Sequence, residues 1–267
     1  MTDGYQIRAR WWPTGRRAAV LYLHGIQSHG QWFETSARFL AQRGLAVLLP
    51  DRRGAGRNER NINYRGLRRR LLRDVRQQIQ WIQNRLHLGK IHLLGVSWGG
   101  KLAVAAYPGQ HRSVKSMALI APGLLPCVDV DIPRKLRIAL AAMGCPARRF
   151  PIPLNAPDLF TANPEKRRFI DQDPLRLRET GAGFLLASRL MDSAKRKLAH
   201  APPCPLHLFL AEHDRIIDND ATRAWAHSLG WKNTKVTLYD NAHHTLEFEP
   251  DPRPFFEDLA DWLENPE

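Results

Sequence analysis

Short runs of apolar residues, each bounded by turn-forming residues, recur along the chain. They are nearly continuous rather than alternating, which is typical of strands buried on both faces of a parallel sheet. The runs occupy residues 18–25, 45–51, 91–97, 116–122, 206–212 and 234–240. They predict the strands of one mostly parallel sheet.

Segments with helical periodicity lie between most of these runs. Residues 31–43 and 67–88 repeat apolar positions every three or four residues, which is the spacing of one helix face. Because strands and helices alternate, the pattern predicts an α/β fold built on a doubly wound sheet.

The alternation is interrupted between residues 125 and 205, where no buried-strand run occurs. Prolines and short helical patterns, at 134–143 and 183–198, take its place. About 80 residues is too long for an ordinary loop, so we expect an inserted helical cap. The predicted division is a core domain of residues 1–124 and 206–267 and a cap of residues 125–205.

Composition supports a globular chain, since 43% of the 267 residues are hydrophobic. Three cysteines, Cys127, Cys145 and Cys204, show no metal-ligand spacing, so neither a disulfide framework nor a metal site is expected. The N-terminus has no apolar signal segment, and no run approaches the roughly 18 apolar residues of a membrane span. These features favour a cytoplasmic protein.

The charge is strongly basic, with 40 Lys and Arg against 26 Asp and Glu and a formal net charge of +14. Such an excess raises the question of an anionic partner. The densest cluster, in residues 60–76, places most of its arginines off the apolar stripe of the predicted helix, as a solvated face would. No nucleic-acid motif accompanies it, so the sequence disfavours nucleic acid and leaves peripheral contact with anionic lipid open.

A candidate nucleophile lies where one predicted strand runs directly into a helix pattern. The segment Gly95-Val96-Ser97-Trp98-Gly99-Gly100 has the G-x-S-x-G spacing, in which small residues permit a sharp strand-to-helix turn that exposes the serine. A serine hydroxyl needs a general base, normally histidine, and that histidine needs a carboxylate.

The acid and base are expected after later strands, in the order Ser, Asp, His. Asp214 follows the strand at 206–212, and the adjacent His243 and His244 follow the strand at 234–240. Both histidines fit this placement.

An oxyanion hole requires two backbone N–H groups near the nucleophile. Trp98, directly after Ser97, is expected to supply one. The loop after the first apolar run is expected to supply the other from Ile26. Gln27, Ser28 and His29 would then border the site, with Gln27 and His29 as the substrate-binding candidates.

These motifs resemble the α/β-hydrolase superfamily, in its branch of monoacylglycerol lipases, lysophospholipases and serine aminopeptidase-like enzymes. The resemblance rests on His24-Gly25, on Asp51-Arg52-Arg53-Gly54-Ala55-Gly56, on Gly95 to Gly100, on Asp214-Arg215-Ile216-Ile217 and on Asn241 to Glu247. In register with the branch's G-x-x-H ending, His244 takes the catalytic position. Trp98 and Arg57-Asn58 depart from the branch's usual residues at their positions.

The resemblance implies a serine hydrolase, without cofactor or metal, that acts on a small-molecule carboxylic ester with an apolar acyl group. The catalytic residues would be Ser97, Asp214 and His244. In the cap, Leu136, Leu140 and Met143 form an apolar stripe, and we expect Leu140 to meet a lipid or acyl chain.

Three alternatives stay open at this point. An aminopeptidase or amidase would need cap acids to bind a substrate ammonium group, and the candidates are Glu165, Asp171, Asp173 and Glu179. A thioesterase or acyltransferase could use the same three residues. A non-enzymatic binding module for anionic membrane or nucleic acid would use the basic surface.

Overall fold

The computed structural model describes residues 1–14 and 18–266 and has a seven-stranded sheet at its centre. The strands of this sheet are β1 (Ala9–Trp12), β2 (Ala19–Leu23), β3 (Ala46–Pro50), β4 (Ile91–Val96), β5 (Val114–Ile120), β8 (Leu206–Ala211) and β9 (Thr234–Tyr239). A separate antiparallel pair is formed by β6 (Arg149–Pro151) and β7 (Glu179–Gly181).

Helices connect most of the strands. They are α1 (Glu34–Gln42), α2 (Leu67–Leu86), α3 (Trp98–Ala106), α4 (Ile132–Gly144), α5 (Pro164–Gln172), α6 (Ala182–Met191), α7 (Ala194–Leu198), α8 (Asn219–Ser228) and α9 (Arg253–Glu264). The predicted helix at 31–43 begins instead as a 3-10 turn, Gly30–Phe33, that leads into α1.

The sheet has the order β1-β3-β2-β4-β5-β8-β9, and all its neighbours are parallel except β1 and β3. Every residue of β2, β3, β4 and β8 is buried. Because successive side chains point to opposite faces, both faces are covered. The predicted doubly wound α/β fold is confirmed.

Two strand features were not predicted. The edge strand β1, with sequence Ala-Arg-Trp-Trp, is short and half-exposed, so it lacks the continuous apolar run that marks the inner strands. The strands β6 and β7 have three residues each, too few for a recognisable pattern.

Residues 125–205 contain α4 to α7 and the β6–β7 pair, with no strand of the central sheet among them. The helical pattern predicted at 183–198 is divided into α6 and α7 at Asp192 and Ser193. The division into core and cap stays a prediction.

The parallel strands end at one edge of the sheet. The segment 24–29 follows β2, Ser97 follows β4, Asp214 follows β8 and His244 follows β9. The carboxyl ends of parallel strands meet at one edge, and the crevice there is where open α/β sheets bind ligands. The topology therefore gathers the residues predicted to carry chemistry.

Among residues 1–14 and 18–266, no helix has the length and apolar character needed to cross a membrane. The cytoplasmic location stays a prediction.

Glu247 is a buried carboxyl group that joins the loop after β9 to the start of α1. Its Oε1 accepts a hydrogen bond from the Ser36 N–H at 2.9 Å, in the first turn of that helix. Burial raises the pKa of Glu247 to about 7, despite the hydrogen bonds from Ser36. The folded chain therefore keeps a proton that the unfolded chain releases between pH 4.5 and about 7.

We expect Glu247→Gln to flatten the pH dependence of stability. In the wild type, the stabilisation from this group is complete below its unfolded pKa of 4.5 and is lost as pH rises through its folded pKa of about 7. Glutamine keeps the acceptor for Ser36 without the charge, so above pH 7 the variant should be more stable by roughly 1–3 kcal/mol. Urea unfolding at pH 5 and pH 8 measures this. Glu257→Gln, an exposed change on α9, is the control, and the idea fails if both variants keep the wild-type pH slope.

Candidate active site

Ser97 occupies a sharp turn between the end of β4 and the start of α3. Its φ of 51° and ψ of −119° lie where a side chain costs about 1–3 kcal/mol. Its N–H donates to the Ile120 carbonyl at 2.9 Å, and its own carbonyl accepts from Gly100 at 2.9 Å and Gly123 at 2.8 Å. These hydrogen bonds hold the strained conformation in place.

The glycines on either side of Ser97 allow strand and helix to approach closely. A Cβ on Gly95 would lie 2.6 Å from the Gly99 carbonyl oxygen. A Cβ on Gly99 would lie 2.1 Å from the carbonyl oxygen of Leu23, at the end of β2. Any other residue at these positions would push the serine turn away from the sheet.

A continuous chain of hydrogen bonds connects Ser97, His244 and Asp214. His244 Nδ1 lies 2.7 Å from Asp214 Oδ2, and His244 Nε2 lies 2.9 Å from Ser97 Oγ. A carboxylate only accepts, so Nδ1 is the donor to Asp214, and the neutral ring can accept the Ser97 hydroxyl proton at Nε2. The arrangement can take a proton from the serine and hold the resulting imidazolium.

Asp214 is itself held firmly. Its Oδ1 accepts from the N–H groups of Ile216 at 2.8 Å and Ile217 at 3.0 Å, which leaves Oδ2 for His244. The Asp214 side chain has no exposed area. The ring of the adjacent His243 lies elsewhere, with Nδ1 3.4 Å from Glu249 Oε1, which also accepts from the His243 backbone N–H at 3.0 Å.

The loop after β2 carries the first predicted oxyanion amide. A Cβ on Gly25 would lie 3.4 Å from Ser97 Cβ, so the peptide between Gly25 and Ile26 passes close to the serine. His24 orients that peptide, because its Nδ1 bonds the Gly25 carbonyl oxygen at 2.8 Å. Its Nε2 accepts from the Arg52 N–H at 2.7 Å, which makes Nδ1 the donor in the neutral ring.

Burial, together with the nearby Arg52, lowers the pKa of His24 to about 3, so this imidazole is neutral at ordinary pH. From the sequence, His24 is identified only as part of the His24-Gly25 motif. Its role in orienting the peptide depends on Arg52, which lies 28 residues away in the chain.

Trp98 is the first residue of α3, so its N–H has no acceptor within that helix. Its side chain reaches residues 125–205: the ring packs on Phe184 with centroids 5.0 Å apart, and Nε1 donates to Ser188 Oγ at 2.8 Å. The second predicted oxyanion residue is thus tied to α6.

Gln27 and His29, predicted to bind substrate, are buried and bonded to residues 173–177. Gln27 accepts from Arg176 Nε at its side chain and from the Leu177 N–H at its backbone, both at 2.9 Å. His29 Nε2 lies 2.9 Å from Asp173 Oδ2. A binding role for Gln27 and His29 stays a prediction, since their contacts here position the loop.

Asp173 also accepts from Trp32 Nε1 at 2.7 Å. Sequence reasoning missed this use of Asp173 and Arg176, because buried hydrogen bonds between distant segments leave no local pattern. Four acids were considered as binders of a substrate ammonium group. Asp173 is hydrogen-bonded to His29 and Trp32, and the other three, Glu165, Asp171 and Glu179, are exposed.

The chain covers this site. Ser97 is 9% exposed and His244 is 1% exposed. Phe160 accepts a hydrogen bond from the Thr245 N–H at 2.9 Å, and its ring lies against His244. Leu140, by contrast, is 65% exposed on α4, and its contact with substrate stays a prediction.

Among the residues that the structure describes, no three His, Cys, Asp or Glu side chains are grouped as a metal site would need. Cys127 and Cys145 are exposed and Cys204 is buried, all as free thiols.

Comparisons with known proteins identify the family and the fold. The profile of the Hydrolase_4 family, described as serine aminopeptidase, S33, matches residues 14–251. The human monoglyceride lipase is 24% identical over 251 residues, which cover 92% of this chain and 82% of the relative. The monoacylglycerol lipase of Mycolicibacterium smegmatis is 25% identical over 262 residues, with coverage of 95% and 90%.

Solved structures share the fold. The monoacylglycerol lipase of Paleococcus ferrophilus superposes with a TM-score of 0.86 at 18% identity, covering 98% of this chain and 100% of that one. A soluble variant of monoglyceride lipase from Saccharomyces cerevisiae, in complex with a substrate analog, gives 0.84 at 18% identity, with coverage of 99% and 93%. The predicted α/β-hydrolase architecture is confirmed.

We expect Gly99→Ala to disrupt the turn at Ser97. The new Cβ would meet the Leu23 carbonyl oxygen, which is backbone and cannot rotate away. The free energy of unfolding should fall by about 3 kcal/mol or more. Gly109→Ala is the matched control, because no heavy atom lies within 4 Å of its added Cβ, and its effect should stay within about 1 kcal/mol. Thermal and urea unfolding decide the matter, and equal effects of the two changes would contradict it.

Proposed function

The chain belongs to the serine aminopeptidase S33 family of α/β-hydrolases, and we propose that this ester-hydrolysing enzyme uses Ser97, His244 and Asp214 to cleave carboxylic esters with an apolar acyl group. The observation that carries the proposal is the hydrogen-bonded chain of 2.7 Å and 2.9 Å through His244. The names of its relatives, monoglyceride lipases, support a lipid-like ester substrate.

The first half of the reaction acylates the serine. Ser97 Oγ attacks the ester carbonyl carbon while His244 Nε2 takes the hydroxyl proton, and the carbonyl oxygen becomes an oxyanion. The N–H groups of Ile26 and Trp98 stabilise that oxygen. When the carbon–oxygen bond to the alcohol breaks, His244 returns the proton to the leaving alcohol, and the acyl group stays on Ser97.

The second half frees the serine. Water enters, gives a proton to His244 Nε2 and attacks the acyl carbon, and the second oxyanion occupies the same N–H groups. Collapse expels Ser97 Oγ, which regains the proton from His244, and the carboxylic acid leaves. Asp214 holds the imidazole in one tautomer throughout and stabilises its charged form.

We propose that residues 125–205 act as a cap that controls entry. Trp98 is bonded to Ser188, the loop at 27–29 is bonded to residues 173–177, and Phe160 lies against His244. With Ser97 only 9% exposed, a substrate with a long acyl chain reaches it through movement of this region.

The outer side of the cap is suited to a lipid surface. Six large apolar side chains of α4 and α6 are exposed: Ile132, Leu136, Leu140, Met143, Leu186 and Leu190. A groove of about 380 Å³ runs between α6 and the start of α2, with arginines at its rim: Arg65, Arg68 and Arg69. Apolar side chains beside cations match an anionic lipid surface, which gives the +14 net charge a role in reaching substrate.

An aminopeptidase or thioesterase reaction would use the same hydrogen-bonded chain. Comparing turnover of an aminoacyl naphthylamide, an acyl thioester and the matching oxygen ester separates these activities. We expect the oxygen ester to be the fastest.

We expect Ser97→Ala to abolish hydrolysis of p-nitrophenyl esters, with a fall in kcat of at least about 10⁴-fold, because the nucleophile is lost. Asp214→Asn should cost about 10⁴-fold by favouring the wrong tautomer of the imidazole. The wild type should show a burst of p-nitrophenol and covalent labelling by a fluorophosphonate.

His243→Gln is the matched control for His244→Gln, since the two histidines are adjacent and only His244 bonds Ser97. The first should keep activity and the second lose it. A wild type that hydrolyses no ester and resists the fluorophosphonate would refute the proposed function.

We expect Leu140→Asp to weaken action on lipid aggregates selectively. Loss of a buried leucine at a lipid surface costs roughly 1–3 kcal/mol, so hydrolysis of a long-chain monoester in anionic vesicles should fall about tenfold. Hydrolysis of a short-chain, water-soluble ester should not change. Leu238→Asp makes the same change at an exposed leucine of β9 and should leave both rates alone. If long-chain and short-chain rates respond alike to Leu140→Asp, the lipid-facing role is wrong.

A further inference from the structure

Arg52, just after β3, is a buried cation without an acidic partner. The residue is 7% exposed, and its guanidinium donates to two carbonyl oxygens, from Nη2 to Ile26 at 3.0 Å and from Nη1 to Arg53 at 3.2 Å. Its Nε has no hydrogen-bond partner. Within residues 1–14 and 18–266, it forms no ion pair with a carboxylate.

The next residue, Arg53, is an arginine of the same loop whose charge is neutralised by carboxylates. Arg53 is equally buried, but it makes two hydrogen bonds of 2.8 Å with Asp74 and an ion pair of 3.0 Å with Asp3. Burying a charge without such partners is expensive, so an unpaired guanidinium in the interior calls for a reason.

Arg52 does not escape its charge by losing a proton at neutral pH. Burial lowers the pKa of its guanidinium to about 10, which still leaves it a cation at neutral pH. Aromatic faces give partial compensation, with its Cζ 4.9 Å from the Trp98 ring centroid and 4.4 Å from that of Phe184.

The contacts of Arg52 converge on the two residues assigned to the oxyanion hole. Its side chain holds the carbonyl of Ile26 and lies over the ring of Trp98. Its backbone N–H bonds His24, which in turn holds the carbonyl of Gly25. Arg52 therefore contacts both residues that are assigned to the oxyanion hole.

We propose that Arg52 is a positioning residue that holds the oxyanion hole in place and whose unpaired positive charge favours the oxyanion formed during ester cleavage. This inference rests on the proposed function. In the ground state the ester carbonyl oxygen carries no full negative charge, whereas in the transition state a negative charge develops on it. An interaction that strengthens only in the transition state raises kcat rather than lowering KM.

The test compares Arg52→Met, which keeps an unbranched aliphatic side chain without the charge, with Arg52→Lys, which keeps the charge. On a short-chain ester, Arg52→Met should lower kcat by about 10- to 100-fold. Removing an oxyanion-hole donor itself lowers kcat by as much or more. KM should change by less than about threefold. Affinity for a trifluoromethyl ketone, which forms an oxyanion at Ser97, should fall in proportion to kcat/KM.

A loss confined to kcat and to inhibitor affinity is a readout that a purely structural role would not give, because general damage to the site would also weaken binding of the ground-state substrate. Arg52→Lys keeps the charge and should recover part of kcat.

Arg53→Met is the control, since it removes a neighbouring guanidinium that contacts neither Ile26 nor Trp98. It should lower thermal stability without changing the ratio of inhibitor to substrate affinity. The inference is wrong if Arg52→Met keeps its kcat and inhibitor affinity, or if the Met and Lys variants lose kcat equally. If the wild-type enzyme cleaves ester and reacts with the fluorophosphonate, the proposed function stands whatever the Arg52 variants do. If the wild-type enzyme does neither, the proposed function and the inference about Arg52 are both refuted.

Discussion

The close approach of β4, α3 and the end of β2 is the constraint on which the site depends. Gly99 packs so tightly that a Cβ would lie 2.1 Å from the Leu23 carbonyl oxygen, and Gly95 is nearly as crowded. This contact brings the Ser97 turn beside the loop that follows β2, so the serine and the peptide of Ile26 become neighbours. The φ of 51° at Ser97 is the local cost of that proximity.

Around this turn, the supporting residues come from distant parts of the chain. His24 and Arg52 hold the loop after β2 from one side, while Asp173 and Arg176, from the segment between β5 and β8, hold it from the other. The loop is thus fixed from two sides. Because the Trp98 side chain is also bonded to Ser188, a movement of α6 would displace Trp98, the residue next to Ser97. A change in the position of α6 would therefore alter the geometry around the serine.

The basic character of the chain divides into parts with different physical meanings. Arg53 is buried in ion pairs and contributes to the fold, whereas Arg52 is buried with carbonyl and aromatic partners only. Arg65 and Arg69 are exposed at the rim of the groove beside α6. A net charge of +14 is therefore a sum over unlike environments, and it indicates no single function by itself.

The amino-acid sequence alone determined the alternation of strands and helices, the turn at Ser97 and the loops that contain Asp214 and His244. Each of these follows from a local pattern, such as a continuous apolar run or glycines around a sharp turn. Tertiary structure decided that His244 rather than His243 bonds Ser97, that Asp173 is engaged by His29 and Trp32, and that Arg52 is buried without an acid. It also added the edge strand β1, whose four half-exposed residues carry no periodic signal. Hydrogen bonds and burial between segments far apart in the chain depend on how the sheet packs against residues 125–205. No stretch of neighbouring residues encodes that packing.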